Sequence, residues 1–298
     1  MSFYKKEYFL QYLAGLVFVI LIQACGGNQP AEKPQKDSIG PTGDEDSVKH
    51  YYQVQSPADF FASLRHQKIS SPTKVMLSPP DINKQYTNPK NRGIDFGIYA
   101  SDVCFLGHFP SKSNATDHML SIKSLSDDLM DSSLISKETI QKITKNPSDW
   151  SLPLNVVSDM FIQMNHILEK NDKHPLISYI ETGAIVENLY ISSRLLSNEK
   201  EDSDILQYIA DQKFVLENLM EMMKDHKRDQ GIPELIISLD PLVNYFNSLQ
   251  EEKVEKVNSS GDKKMVIGAE SRFKMTRAKL DELKTITERI KIEIIGTN

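Results

Sequence analysis

Residues 175–196 read Pro-Leu-Ile-Ser-Tyr-Ile-Glu-Thr-Gly-Ala-Ile-Val-Glu-Asn-Leu-Tyr-Ile-Ser-Ser-Arg-Leu-Leu. A proline fits the first turn of a helix, where its missing N–H would have had no partner, so Pro175 opens the element rather than breaking it. Leu176, Ile177, Ile180, Ile185, Val186, Leu189, Ile191 and Leu195 spread round the whole circumference instead of forming one stripe. A helix that is apolar nearly all round is enclosed by other elements. Within it, Gly183, Glu187, Tyr190 and Arg194 recur at spacings of four, three and four and so share one face.

Working outward, the flanking sequence supplies a shell of helices. Asn91 to Phe109 is the second strongly apolar segment, stopped by Pro110, and it carries Asp95, Tyr99 and Asp102 at i, i+4 and i+7. Upstream, Ser56-Pro57-Ala58-Asp59 combines a capping hydroxyl, a proline at the first helical position and an acid at the third, ahead of Phe60, Phe61 and Leu64. That predicts a short helix over about 57–67. Ala115 to Met130 repeats Met119, Ile122, Leu125 and Leu129 at helical spacing, Ser136 starts a short helix, and Ser151 to Lys170 is amphipathic. Residues 203–224 read as one helix, Gly231-Ile232-Pro233 opens another to about Leu249, and Ala269 to Ile294 reads as the last. Between these, Val254 to Gly268, with Asn258 to Asp262 at its middle, is either a small hairpin or a loop. Helices joined by short connections pack as antiparallel neighbours, so the expected fold is all-α: an irregular antiparallel multi-helix bundle with at most one small hairpin, forming a single domain over 51–298. The alternative is an irregular helical array, although no fixed-period repeat is visible.

Composition agrees. The chain has 298 residues, 39% of them hydrophobic, which is enough to bury a core. Its 35 basic and 41 acidic residues leave a net charge of -6, which offers no positive strip to a phosphate backbone, so nucleic acid is not the expected partner. The 13 glycines and 14 prolines lie mostly between apolar runs, which argues against low-complexity or many-turned all-β architectures.

The N-terminus carries an address. Lys5 and Lys6 precede an apolar run from Phe9 to Ile22, about 14 residues and short of the ~20 that a spanning helix needs, followed by Gln23-Ala24-Cys25-Gly26-Gly27. Residues 1–24 thus read as a signal peptide. The small residue before Cys25 and the order of these features resemble the lipobox of bacterial lipoproteins. The resemblance implies that the Cys25 sulfur receives a diacylglycerol and that cleavage makes Cys25 the first mature residue; a plain secretory leader with a free cysteine, or an uncleaved anchor, are the alternatives. Gln23 departs from the usual small or apolar residue at its place. Two or three acyl chains hold a protein at a bilayer for practical purposes permanently. Residues 25–50 follow as a polar tether rich in Pro, Gly and charge, with a typical reach of roughly 25–30 Å. In it, Asp37-Ser38-Ile39 and Asp46-Ser47-Val48 resemble the Asp-Ser/Thr-aliphatic acceptor of Bacteroidetes-type envelope O-glycosylation, which makes Ser38 and Ser47 candidate glycosylation sites; the alternative is a pair of ordinary turn-forming Asp-Ser dipeptides. With Gly97-x-Tyr99-x-x-Asp102 and Gly183-x-x-x-Glu187-x-Leu189-Tyr190 in the body, the chain resembles a group of helical envelope lipoproteins of Bacteroidetes-type bacteria. That resemblance implies an address and a fold, not an activity, and supplies no catalytic residues. The acidic cluster after the cysteine that would resemble a surface-export signal is missing, so the membrane and its face stay open.

Chemical motifs are sparse. Apart from Cys25, the chain has only Cys104, set in an apolar helix and expected to be a buried small hydrophobe. The histidines are dispersed without metal-ligand spacing, and no Gly-x-Ser-x-Gly elbow, phosphate-cradling glycine loop or dinucleotide fingerprint occurs. Neither a metal nor a cofactor is expected, and no catalytic residue is assigned. What remains is polar residues in two apolar helices: Asp95, Tyr99 and Asp102 in one, Glu187, Tyr190 and Arg194 in the other. A stranded buried carboxylate costs several kcal/mol or keeps its proton, so each acid must be paired, hydrated or functional. One reading has Arg194 or another base neutralise an acid in a structural network. The other has both faces line a cavity that binds a ligand or does acid-base work. The expectation is a lipid-anchored envelope protein, on the periplasmic face of the inner or outer membrane, whose helical domain binds an envelope protein or small ligand. The alternatives are an enzyme using Asp102 and Glu187, and a structural subunit of an envelope complex.

Overall fold

The computed structural model describes residues 55–66, 77–81, 88–109, 115–130, 133–196, 203–260 and 263–296. The leader, Cys25 and the tether with Ser38 and Ser47 lie outside the described residues. The chain divides into two units, 1–49 and 50–298, and the described residues belong to the second. It is all-α apart from one hairpin. In order run α1 (Pro57–His66), α2 (Pro89–His108), α3 (Ala115–Leu129), α4 (Lys137–Lys145), α5 (Ser151–Lys170), α6 (His174–Leu195), α7 (Asp204–Ala210), α8 (Gln212–Asp225), α9 (Ile232–Asn247), the strands β1 (Glu251–Ser260) and β2 (Lys263–Phe273), and α10 (Arg277–Gly296).

Four of these helices, α1, α2, α4 and α10, start on a side-chain oxygen. Ser56 Oγ accepts from the Asp59 N–H at 3.2 Å, Asn88 Oδ1 from Asn91 N–H at 2.9 Å, Ser136 Oγ from Thr139 N–H at 3.1 Å and Thr276 Oγ1 from Lys279 N–H at 3.2 Å, each satisfying an N–H that has no intrahelical partner. The Thr276 cap changes the last helix. Residues from Ala269 to Phe273, expected to be helical, belong to β2, and α10 begins only at Arg277. The ambiguous segment is a hairpin: β1 pairs antiparallel with β2 from Glu251 opposite Phe273 to Ser260 opposite Lys263, with an irregularity between Glu255 and Val257. The single helix expected over 203–224 is interrupted at Asp211, whose ψ of -13° tightens one turn while staying right-handed, so α7 and α8 are successive parts of one run.

At the centre lie α2 and α6, the helix pair with the most extensive mutual packing. Gly93 and Gly97 face Tyr179, Ile180 and Ala184, while Gly183 faces Ile94. A methyl group on Gly97 would stand 2.0 Å from the Ile180 carbonyl oxygen, and one on Gly183 would stand 2.1 Å from that of Ile94. Only glycine permits backbones this close. Ser101 uses the proximity, its Oγ lying 3.0 Å from the Gly97 carbonyl of its own helix and 3.3 Å from the Ala184 carbonyl across the gap. The sequence of contacts, 93 with 179, 97 with 180 and 184, 101 with 184, shows that α2 and α6 run in the same direction. Neighbours close in sequence are antiparallel as expected: α3 returns along α2, joining Arg92 to Asp128, and α10 returns along α9, joining Tyr245 to Lys279.

Candidate functional site

The close approach of α2 and α6 carries Asp102 of one helix to Glu187 of the other. Both side chains are wholly enclosed, at 0% exposure. From α10, Lys291 reaches in and sets its Nζ 2.7 Å from Glu187 Oε1 and 2.6 Å from Oε2. The same ammonium lies 4.1 Å from the centre of the Tyr190 ring, and the Arg194 guanidinium carbon lies 3.6 Å from it, so one electron-rich ring meets two cations. Arg194 itself donates to the Tyr190 carbonyl at 3.1 Å and pairs with Glu288 of α10 at 3.1 Å, nearer the rim. The inner countercharge is therefore Lys291, not Arg194.

Burial raises the pKa of Glu187 above the ordinary carboxylate value, against the pull of Lys291. Asp102 is pushed further: burial first and the neighbouring Glu187 second hold its carboxyl well above the ordinary range, with Lys291 opposing. Neither Asp102 oxygen meets a donor in hydrogen-bond geometry, although the Ser78 backbone approaches. Asp95 and Tyr99 sit on the turns of α2 before Asp102, also buried. Tyr99 Oη donates to the Pro79 carbonyl at 3.2 Å, so the segment 77–81 is fastened over this side of α2; burial and then the Asp95 charge push its phenol pKa up. The structure thus gathers Asp102, Glu187, Tyr190 and Arg194 into one cluster and leaves Asp95 and Tyr99 beside it, toward 77–81. Three open clefts, beside His166, beside Phe273 and beside Glu234, are lined by neither Asp102 nor Glu187. A substrate would have to part α2, α6 and α10 to reach either acid.

Lys291 lies outside the two apolar helices that carry the candidate polar residues. The signal is present: Leu280, Leu283, Thr287, Ile290 and Ile294 mark the buried stripe of α10, and Lys291, 8% exposed, lies along that stripe, four residues after Thr287. A lysine inside an apolar stripe asks for a buried acid. Cys104 is buried and free, its thiol pKa raised by burial, as a small hydrophobe is.

Open clefts lie elsewhere. One of about 290 Å³ between α1, α5, α6 and α8 is lined by Asp59, Phe161, Asn165, His166 and His174 among others. Close by, Asn165 Nδ2 donates at 3.1 Å to Glu181, which is 3% exposed and whose pKa burial pushes up to about 8, so Glu181 is a neutral acid at neutral pH. His174 stacks flat on His226 with ring centres 5.0 Å apart, and burial followed by the His174 charge lowers the pKa of His226. A second cleft, about 540 Å³, runs from Lys90 of α2 to Gly231 and Glu234 and contains Tyr179, whose hydroxyl donates to Asp229.

Among the described residues no group of three or more His, Cys, Asp or Glu is placed to hold a metal ion, and no helix is long and apolar enough to cross a membrane. No protein-family model matches the chain, and no curated protein and no solved structure matches it.

Proposed function

We propose that this protein is a lipid-anchored component of the bacterial cell envelope whose helical body binds an envelope protein or a small ligand and catalyses no reaction. One observation carries the reading: Lys5 and Lys6, the apolar run 9–22, Ala24-Cys25-Gly26-Gly27 and a polar tether follow each other in the order a lipoprotein leader requires. The acyl chains on Cys25 supply the membrane affinity, and the body needs none of its own. The cleft beside Asn165, His166 and His174 is the natural seat for a ligand, because it mixes an apolar floor of Phe161 and Ile177 with converging polar groups. Asp102 and Glu187, enclosed and held against Lys291, serve the architecture in this reading. Expression of the full chain with labelled palmitate tests it. Wild type should incorporate the label and sediment with membranes, whereas Cys25→Ser should do neither. Label absent from wild type, or a mature N-terminus other than a modified Cys25 by mass spectrometry, overturns the proposal. The same spectra read whether Ser38 and Ser47 carry sugar.

A further inference from the structure

We propose that Asp102 and Glu187 hold a single proton between them and that this proton, with Lys291, forms a pH-sensitive clamp fastening α10 onto α2 and α6. The argument starts from a count of charges in a dry place. Two carboxyl groups, both at 0% exposure, face each other across the α2–α6 crossing, and one ammonium stands against them, with both of its short contacts going to Glu187. Neither Asp102 oxygen has a donor in full hydrogen-bond geometry, and the Ser78 backbone only approaches. Two ionised carboxylates in contact repel, and a buried charge without a partner costs several kcal/mol; a proton on Asp102 removes both penalties and turns an acceptor facing an acceptor into a donor facing an acceptor. The site then holds one anion, one cation and one neutral acid.

The surroundings leave the assignment intact. From α6, Arg194 also acts on Glu187 but is committed to Glu288. α2 also buries Asp95, Tyr99 and Cys104, all acids that bring no positive charge to the pair, and Tyr99 interacts with both Asp95 and Asp102. The segment 77–81 offers only the Ser78 backbone to Asp102, its Asp81 acting on Tyr99. Asp59 of α1 acts on Cys104, two residues along α2 from Asp102. The buried faces of α3 and α5 carry a single titratable residue, His118, which packs edge-on to Trp150. From α10 come Lys291 and, at the rim, Glu288.

The direction of the pH effect follows. Asp102 keeps its proton in the folded protein at pH values where the unfolded chain has lost it, so folding takes up a proton and stability falls as pH rises above the ordinary aspartate value. When the proton leaves, two anions share one lysine and the seam holding α10 loosens. Thermal melts and hydrogen exchange of the full chain test this. From near pH 5 to about pH 8.5, wild type should lose melting temperature, and the protection factors of α10 amides should fall by about tenfold or more. Asp102→Asn, which presents a permanent neutral donor to Glu187, should gain on wild type progressively with pH, reaching roughly 5 °C near pH 8.5, and should hold its α10 protection constant. A difference from wild type that does not change with pH overturns the proposal. Should Asp102→Asn fail to fold, infrared spectroscopy decides: Glu181→Gln, which removes the other neutral acid, must still show a carboxylic-acid carbonyl band at neutral pH, and its absence refutes the shared proton.

Discussion

Lys291 is the residue on which the interior electrostatics turn. Replacing it by Met keeps much of its volume but removes the one cation in contact with Glu187, and breaking a buried ion pair from one side costs about 3–5 kcal/mol. Lys291→Met should therefore lower the melting temperature by roughly 10 °C. The loss should be greater near pH 8.5 than near pH 5, because without the ammonium Glu187 must also keep a proton and protons grow scarce. Melts at the two pH values check both statements. Glu181 offers a simpler case. Its pKa is pushed from an ordinary value up to about 8 by burial, so the folded state binds a proton that the unfolded state has released, and stability drains away between about pH 4.5 and pH 8. Glu181→Gln, which copies the neutral acid, should match wild type near pH 4.5 and melt higher by roughly 5 °C near pH 8.5. The acids were legible in the sequence, since a carboxylate inside an apolar helix must find a proton or a partner. Which partner it finds depends on residues about a hundred positions away, and no local pattern ties Glu187 to Lys291.

Among elements, the α2–α6 crossing sets the geometry of everything near it. Gly183→Ala would drive a methyl group to 2.1 Å from the Ile94 carbonyl oxygen, and Gly97→Ala to 2.0 Å from that of Ile180; both obstacles are backbone and cannot rotate aside. Each substitution must push the helices apart, disturbing the Ser101 hydrogen bond to Ala184 and the Asp102–Glu187 contact, at a cost of about 3 kcal/mol or more. Circular dichroism melts should show both variants lowered by roughly 10 °C, with Ala184→Gly as a milder control. The two helices announce themselves as buried because they are apolar nearly all round, but the parallel sense of their packing is not written in either one. It arises because α3, α4 and α5 intervene in the chain and return it to the same end. At α9 the sequence places Pro241 inside a helix. The proline removes the N–H that would serve the Ile237 carbonyl, and since Ile237 is 68% exposed, water can take that carbonyl instead. The start of α10 differs from the sequence reading because Phe273 lies seven residues before Leu280, two helical turns, but pairing with β1 claims the residues through Phe273 and the Thr276 cap fixes the boundary.

For the whole molecule, the wild-type stability profile should tilt toward acid. Asp102, Glu187 and Glu181 all have carboxyl pKa values raised by burial, and each such group binds its proton more tightly folded than unfolded, so melting temperature should decline from near pH 5 to about pH 8.5. A flat or rising profile would contradict the raised pKa values of these three carboxyl groups. The sequence by itself determined the helical character of the body, because periodicity and caps are local properties read within a few turns, and the proposed lipid anchor rests on it alone, on a short linear order of charge, apolar run and small residues. Tertiary structure decided which helices touch, that two glycines let α2 and α6 meet at their backbones, and that a lysine near the C-terminus answers a glutamate in α6. Those outcomes depend on packing between segments far apart in the chain, where shape and charge are matched in space and leave no spacing along the sequence to read.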